Sequence, residues 1–120
     1  REVEGIRPLR LSPKKVSVGD PVFSIGHPSG LPLKISTKGR VEAISKRSFK
    51  TNLDTFAGNS GSPVISAQTH EVVGILVRGA LDYIKDLSRG CFVTNRCQSV
   101  GSGMDCQGES VTSIKNLLNQ

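Results

Sequence analysis

Apolar residues occur along this chain in short runs that turn-forming residues separate. Segment 33–44 alternates apolar and polar side chains over most of its length, which is the period of a half-buried strand. Gly39 within that segment indicates a bulge or a barrel corner. The same signals predict further strands at 22–26, 48–53, 63–66, 71–78 and 90–94, with loops at 27–32 and 79–89. The pattern therefore predicts an all-β domain, either a sandwich or a barrel.

The two ends of the chain differ from this strand pattern. Residues 1–15 are polar apart from a short alternating stretch, which is typical of a linker that joins a sheet edge. Near the other end, apolar residues at 111, 114, 117 and 118 recur at helical spacing. We therefore predict a connector at 1–15, a β-domain at 16–108 and a C-terminal α-helix at 109–120.

Composition excludes two classes of partner. The 120 residues have a net charge of +6, but the basic residues are scattered, and only four Phe and one Tyr could stack on bases. No apolar run approaches the roughly 20 residues of a membrane-spanning helix. The sequence thus predicts one domain that binds neither nucleic acid nor membrane.

Three cysteines lie close together in a segment rich in Gly and Ser. Cys97 and Cys106 bracket a small loop that a disulfide can close, whereas Cys91 begins a strand that fixes its side-chain direction. We predict a Cys97–Cys106 disulfide, with Cys91 buried and either free or bonded to another chain. Zinc sites use paired ligands that this spacing lacks, so neither a metal nor a cofactor is expected. Disulfide bonding favours a secreted or periplasmic location.

The segment Gly-Asn-Ser-Gly-Ser-Pro at 58–63 contains a candidate nucleophile. Glycine permits the strained backbone of a tight turn and has no side chain to block a ligand, so Ser60 between Gly58 and Gly61 can point its hydroxyl into a cleft. The backbone amides of Gly58 and Ser60 could then converge on a developing oxyanion. The alternative is an ordinary loop, because all six residues favour turns.

The surroundings of this turn resemble the trypsin-like serine peptidases of the chymotrypsin fold. The family's turn has the pattern Gly-x-Ser-Gly-Gly/Ser-Pro and leads into a hairpin, as 58–66 and 71–78 do here. The version at 58–63 looks most like the bacterial secreted branch related to glutamyl endopeptidases. Residues 1–11 resemble the connector between the family's two barrels. The resemblance implies a six-stranded antiparallel Greek-key barrel, the second (C-terminal) barrel of the double-barrel fold, with a C-terminal helix.

The resemblance also implies an incomplete set of catalytic groups. Ser60 would be the nucleophile, and the Gly58 and Ser60 amides the oxyanion hole of an acyl-enzyme mechanism that hydrolyses peptide bonds in proteins or peptides. The family's catalytic His and Asp come from the first barrel, and no such stretch is present here. His27 lies in a Pro/Gly loop and His70 in a hairpin turn, so neither is expected to act as the base. A first-barrel polypeptide is therefore the expected partner.

A catalytically inactive binding or adaptor module is the alternative. It explains the missing His and Asp without a partner, but it has no need of a strained turn that costs about 1–3 kcal/mol per strained residue. Asn59 departs from animal trypsins, which have Asp before the nucleophile. An uncharged Asn cannot form the ion pair of their zymogen activation.

Substrate preference is predicted from residues on either side of the nucleophile. Asp54 stands six residues before Ser60, where trypsin places the carboxylate of its specificity pocket, and Gly79 and Gly90 match pocket-wall glycines. We predict cleavage after Lys or Arg, although Asp54 could instead close a turn. Arg78 opposes this preference if its charge reaches the pocket mouth. The implied substrate-binding residues are Asp54, Thr55, Val77, Arg78, Gly79 and Gly90.

Glutamate specificity is not expected. Glutamyl endopeptidases have a pocket histidine just after the Gly-Ile of the second hairpin strand, and this chain has Leu76 there.

Overall fold

The computed structural model describes residues 4–97, 99–101 and 106–118, and strands predominate in it. The strands are β1 (Pro21–Gly26), β2 (Lys34–Ile44), β3 (Ser48–Thr51), β4 (Pro63–Ser66), β5 (Val72–Arg78), β6 (Tyr83–Asp86), β7 (Cys91–Thr94) and β8 (Glu109–Ser113). A 3₁₀ turn at Pro28–Gly30 follows β1, and one short helix, α1 (Ile114–Leu118), follows β8.

Six of these strands form a closed antiparallel barrel. Their order is β1-β2-β3-β8-β5-β4, and β4 pairs with β1 to close the sheet. Strands β1, β2 and β3 form a meander, and β4 returns to lie beside β1, which is the Greek-key arrangement. The predicted six-stranded Greek-key barrel with a C-terminal helix is therefore confirmed.

The core fills the inside of this barrel. Val22, Ser24 and Gly26 alternate inward along β1, and Phe49 at the barrel centre is 1% exposed. Full burial of an aliphatic or aromatic side chain of this size contributes about 1.5–3 kcal/mol. The core cluster contains Val22, Val41, Phe49, Leu53, Val64, Val73, Leu76 and Val111.

A bulge bends β2 beside Gly39, as the sequence predicts. Val22 pairs with Gly39, but Ser24 pairs with Ser36, so β2 contains one residue more than β1 across this step. Lys38 within the bulge has φ +63°. A side chain at position 39 would overlap Leu53 in the core. The bend therefore requires glycine where the strand turns over the core.

The C-terminal segment differs from the prediction of a helix at 109–120. Glu109–Ser113 is strand β8, which lies between β3 and β5, and the described helix covers Ile114–Leu118 only. Glu109 and Val111 are buried in alternation, which is strand periodicity. The helix prediction is wrong for 109–113 because β3 and β5 would otherwise leave unpaired backbone N–H and C=O groups at the edges of the sheet. Pairing a sixth strand with those groups outweighs the local helical preference of the segment.

The segment after β5 also differs from the prediction. Part of the predicted loop at 79–89 is β6, and β7, predicted as the last barrel strand, pairs with β6 in a separate two-stranded sheet. Most residues of both strands are exposed, so this hairpin has no core-facing side.

The cysteines agree with the prediction in pairing but not in burial. Cys97 and Cys106 form a disulfide, and Cys91 is free. Cys91 is exposed, however, because β7 lies outside the barrel, and its predicted burial is wrong.

The connector pairs with Val72 at the start of β5. Val72 accepts a hydrogen bond from the Ser12 amide and donates one to the Arg10 carbonyl. Within the described residues, no helix is long and apolar enough to cross a membrane.

Candidate active site

The turn at 58–63 has the strained geometry that its glycines predict. Gly58 has φ +95° and Gly61 has φ +89°, values that glycine adopts without steric cost. The Gly61 amide donates to the Leu76 carbonyl at 2.8 Å, and the Leu76 amide donates to the Ser62 carbonyl at 3.0 Å. These two bonds fix the turn to β5.

The Ser60 side chain is exposed at the end of this turn. Its hydroxyl donates a hydrogen bond of 2.9 Å to the backbone carbonyl of Val77. The structure therefore presents the hydroxyl at the surface, as a nucleophile requires. A backbone carbonyl cannot accept the proton during attack, so this bond does not activate Ser60.

Two backbone amides beside Ser60 are available to a ligand. The neighbouring residue Ala57 is fully engaged, since its amide donates to Asp82 Oδ2 at 2.8 Å and its carbonyl accepts from the Ser29 amide at 2.6 Å. Among the described residues, the amides of Gly58 and Ser60 have no hydrogen-bond acceptor. Unpaired amides flanking a serine are what an oxyanion hole requires, and that role stays a prediction.

A cavity of about 280 Å³ opens beside Ser60. We call it the Ser60 cavity. It brings together three of the predicted substrate-binding residues, Thr55, Arg78 and Gly79, with Ser60 and Gly58. The other lining residues are Phe56, Ala57, Leu76, Ala80, Asp82 and Glu109.

Glu109 is the residue of this cavity that the sequence prediction missed. It is 5% exposed, and its Oε2 accepts a 2.7 Å hydrogen bond from the Thr55 hydroxyl. Burial raises the pKa of its carboxyl group, the bond from Thr55 opposes that rise, and the negative charges of Asp82 and Asp54 add to it. The available signal was the β-branched pair Val111 and Thr112, a residue type that favours strands.

The structure does not bring Asp54 or Gly90 to the Ser60 cavity. Asp54 is exposed and lines adjacent cavities, and its backbone carbonyl accepts a 2.7 Å bond from the Ser36 hydroxyl. Gly90 is exposed in the turn between β6 and β7. Val77 contacts the site only with its backbone carbonyl, which accepts the hydrogen bond from the Ser60 hydroxyl. The Val77 side chain is exposed.

The side chain of Asn59, the residue before Ser60, is buried. It is 7% exposed, and its Oδ1 is buried with no hydrogen-bond partner among the described residues. It lies against Gly26, where any side chain would overlap it. Asn59 also lines a second cavity of about 330 Å³, which has Leu31, Ile35 and Phe56 in its wall.

Neither histidine lines the Ser60 cavity. His27 is exposed in the loop after β1. His70 follows β4, so the length of that strand separates it from Ser60, and its ring packs edge-on against Phe23 at 6.4 Å between centroids. No group of three His, Cys, Asp or Glu side chains in the described part of the chain could hold a metal ion.

Comparison with known proteins agrees with this fold. Residues 1–75 match the trypsin-like peptidase domain family. Two crystal structures of Rv3671c from M. tuberculosis resemble the fold. The inactive form of a mutant has a TM-score of 0.66 at 16% identity, over 97% of this chain and 52% of that one. The active form of the protease has a TM-score of 0.67 at 18% identity, over 97% of this chain and 47% of that one.

This chain thus spans about half the length of the Rv3671c chains that it resembles. No curated protein matches its sequence significantly.

Proposed function

Because the chain belongs to the trypsin-like peptidase domain family, we propose that it is the nucleophile-bearing second barrel of a serine endopeptidase. The observation behind this proposal is the exposed Ser60 hydroxyl, which lies on the rim of a cavity beside two unpaired backbone amides. Ser60 attacks the carbonyl carbon of the peptide bond. The amides of Gly58 and Ser60 stabilise the oxyanion that forms, and removal of one such donor costs about 100- to 1,000-fold in rate.

The base that activates Ser60 comes from a first-barrel polypeptide. A serine hydroxyl needs a neighbouring base, which a carboxylate orients. The Val77 carbonyl that accepts a hydrogen bond from Ser60 cannot act as this base, and neither His27 nor His70 lines the cavity. The His and Asp of the triad therefore belong to a partner barrel. The half-length match to Rv3671c supports this arrangement.

The substrate residue on the acyl side of the cut bond is Lys or Arg. Two acidic residues, Asp82 and Glu109, line the Ser60 cavity together with Gly79. A basic side chain entering the cavity gains a charge-assisted hydrogen bond that a neutral side chain cannot make. Arg78 at the same cavity is exposed, so solvent and salt screen its repulsion over about 8–10 Å.

The assembled peptidase acts outside the cytoplasm, in a secreted or periplasmic form. The Cys97–Cys106 disulfide supports this location, because disulfides persist in oxidising compartments.

Labelling with a fluorophosphonate probe tests the proposal. The isolated chain should react slowly, because Ser60 has no base, and joining it to its first barrel should accelerate labelling by about 10⁴- to 10⁶-fold. Ser60→Ala should abolish labelling, whereas Ser62→Ala on the same turn should preserve it. An assembled protein that stays unlabelled would support the adaptor module instead. Rapid labelling of the isolated chain would contradict the need for a partner base.

A further inference from the structure

We propose that Glu109, rather than Asp54, is the residue that selects a basic side chain in the Ser60 cavity. This inference rests on the proposed peptidase function and names the group that determines its substrate preference. Three observations support it. Glu109 lines the Ser60 cavity, its carboxylate makes no ion pair with the described residues, and Asp54 does not line that cavity.

The Glu109 carboxylate faces the same space as the nucleophile. Glu109, Gly79 and Ser60 line one cavity, and Glu109 is almost entirely buried there. A side chain at position 79 would overlap both carboxylate oxygens of Glu109. The carboxylate therefore packs against the Gly79 backbone in the cavity wall, and a side chain at position 79 would displace it.

Glu109 makes no ion pair with any of the described residues, although Arg78 lines the same cavity. The ion pairs in the described ranges are Arg40–Glu42 and Arg89–Asp86. Glu109 is held instead by the Thr55 hydroxyl and the Ala80 amide, which leave part of its acceptor capacity unused. Burying a carboxylate without a counterion is costly, and burial raises its pKa here. A guanidinium or ammonium group arriving in the cavity would supply the missing charge.

Asp54 is poorly placed for the same task. Its side chain is exposed, it does not line the Ser60 cavity, and solvent screens its charge. Asp54 and Glu109 are close enough for the charge of Asp54 to raise the Glu109 pKa. Removing either charge thus changes the local field, but of these two residues only Glu109 lines the cavity.

The first test measures binding and needs no catalysis. Butylguanidinium and its neutral isostere butylurea are titrated into the chain while NMR follows the amides of Gly79 and Ala80. A hydrogen bond to a charged group is worth about 1.5–3 kcal/mol, so butylguanidinium should bind about 10- to 100-fold more tightly. Glu109→Gln should remove this preference and Asp54→Asn should retain it. A preference that survives Glu109→Gln, or that Asp54→Asn alone abolishes, would overturn the proposal.

Glu109→Asp is a second variant, used in case Glu109→Gln does not fold. It keeps the charge but shortens the side chain, so butylguanidinium should bind more weakly than to the parent and still more tightly than butylurea. Loss of all preference in a Glu109→Asp chain with an unchanged circular dichroism spectrum would also contradict the proposal.

The second test uses the assembled peptidase and separates the two proposals. Peptides with Arg, Lys, citrulline or norleucine on the acyl side are compared as substrates of the parent and of Glu109→Gln. The variant should lose about 10- to 100-fold in kcat/KM on the Arg and Lys peptides only. The norleucine peptide is the internal reference, so the readout is the ratio of kcat/KM on the basic peptides to kcat/KM on norleucine. An unaltered peptide profile refutes the role of Glu109, whereas absence of fluorophosphonate labelling in the parent refutes the peptidase function and leaves the binding result standing.

Discussion

The Thr55 hydroxyl donates a 2.7 Å hydrogen bond to Glu109 Oε2, although 54 positions separate the two residues. The bond joins the connection that leads into the Ser60 turn to the first residue of β8. Both partners are buried, so solvent does not compete for it. The position of the nucleophile turn is thereby coupled to that of the carboxylate in the cavity.

Glu109 should make the stability of the chain depend on pH. Burial raises its pKa above the ordinary value of 4.5, so the folded chain holds this proton to a higher pH than the unfolded chain. The folded state then binds more protons in the window between those two pKa values, and stability falls as pH rises through that window. Glu109→Gln should remove this fall.

Urea unfolding followed by circular dichroism between about pH 4 and pH 8 measures this effect. Asp86→Asn is the control. Hydrogen bonds, chiefly from the Ser88 hydroxyl, lower the pKa of Asp86 below 3.8, so the stability that it contributes is lost only at lower pH. Parallel pH profiles for the parent and Glu109→Gln would refute the prediction.

Gly79→Ala should disturb the cavity through Glu109. The added methyl group overlaps the carboxylate oxygens, and overpacking of this kind costs about 1–3 kcal/mol. A double-mutant cycle with Glu109→Ala checks the cause, since the penalty of Gly79→Ala should largely vanish once the carboxylate is gone. Additive changes in the free energy of unfolding would show that the glycine matters for another reason.

Gly58→Ala should impair the site more than Gly61→Ala. Both positions have positive φ, so each substitution costs about 1–3 kcal/mol of backbone strain. A side chain at position 58 would also lie 3.1 Å from the Ser29 amide and 3.2 Å from the His27 carbonyl, whereas position 61 is open.

The rate at which a fluorophosphonate labels Ser60 in the assembled peptidase is measured for both variants. Gly58→Ala should slow it by about 100- to 1,000-fold, because one oxyanion donor is displaced. Gly61→Ala should slow it less at a similar loss of stability. Equal effects would indicate that backbone strain alone is responsible.

The Cys97–Cys106 disulfide should contribute about 2–3 kcal/mol to stability, as loop-closure entropy predicts for a span of nine positions. Cys97→Ser is expected to lower the free energy of unfolding in urea by that amount. Iodoacetamide without reductant should label the exposed Cys91 and no other cysteine. A peptide map that shows Cys91 joined to either of the other two would contradict this pairing.

Local spacing along the chain was enough to predict several parts of this protein. Gly58 and Gly61 around Ser60 predicted a strained turn, and the structure shows positive φ at both glycines. The alternation at 33–44 predicted β2 and its bulge, because side-chain direction in a strand is a property of consecutive residues. The small Gly/Ser loop predicted the bridge between Cys97 and Cys106.

The strands that close the barrel and the carboxylates that line the Ser60 cavity depend on contacts between distant parts of the chain. Apolar residues at 111, 114, 117 and 118 have helical spacing, but the unpaired edges of β3 and β5 make 109–113 a strand. That pairing sets Glu109 opposite Thr51 and turns its side chain inward, while Asp54 lies beyond the end of β3 and stays exposed. Distance along the chain from Ser60 favoured Asp54, but membership of a cavity depends on strand register, which short-range patterns do not encode.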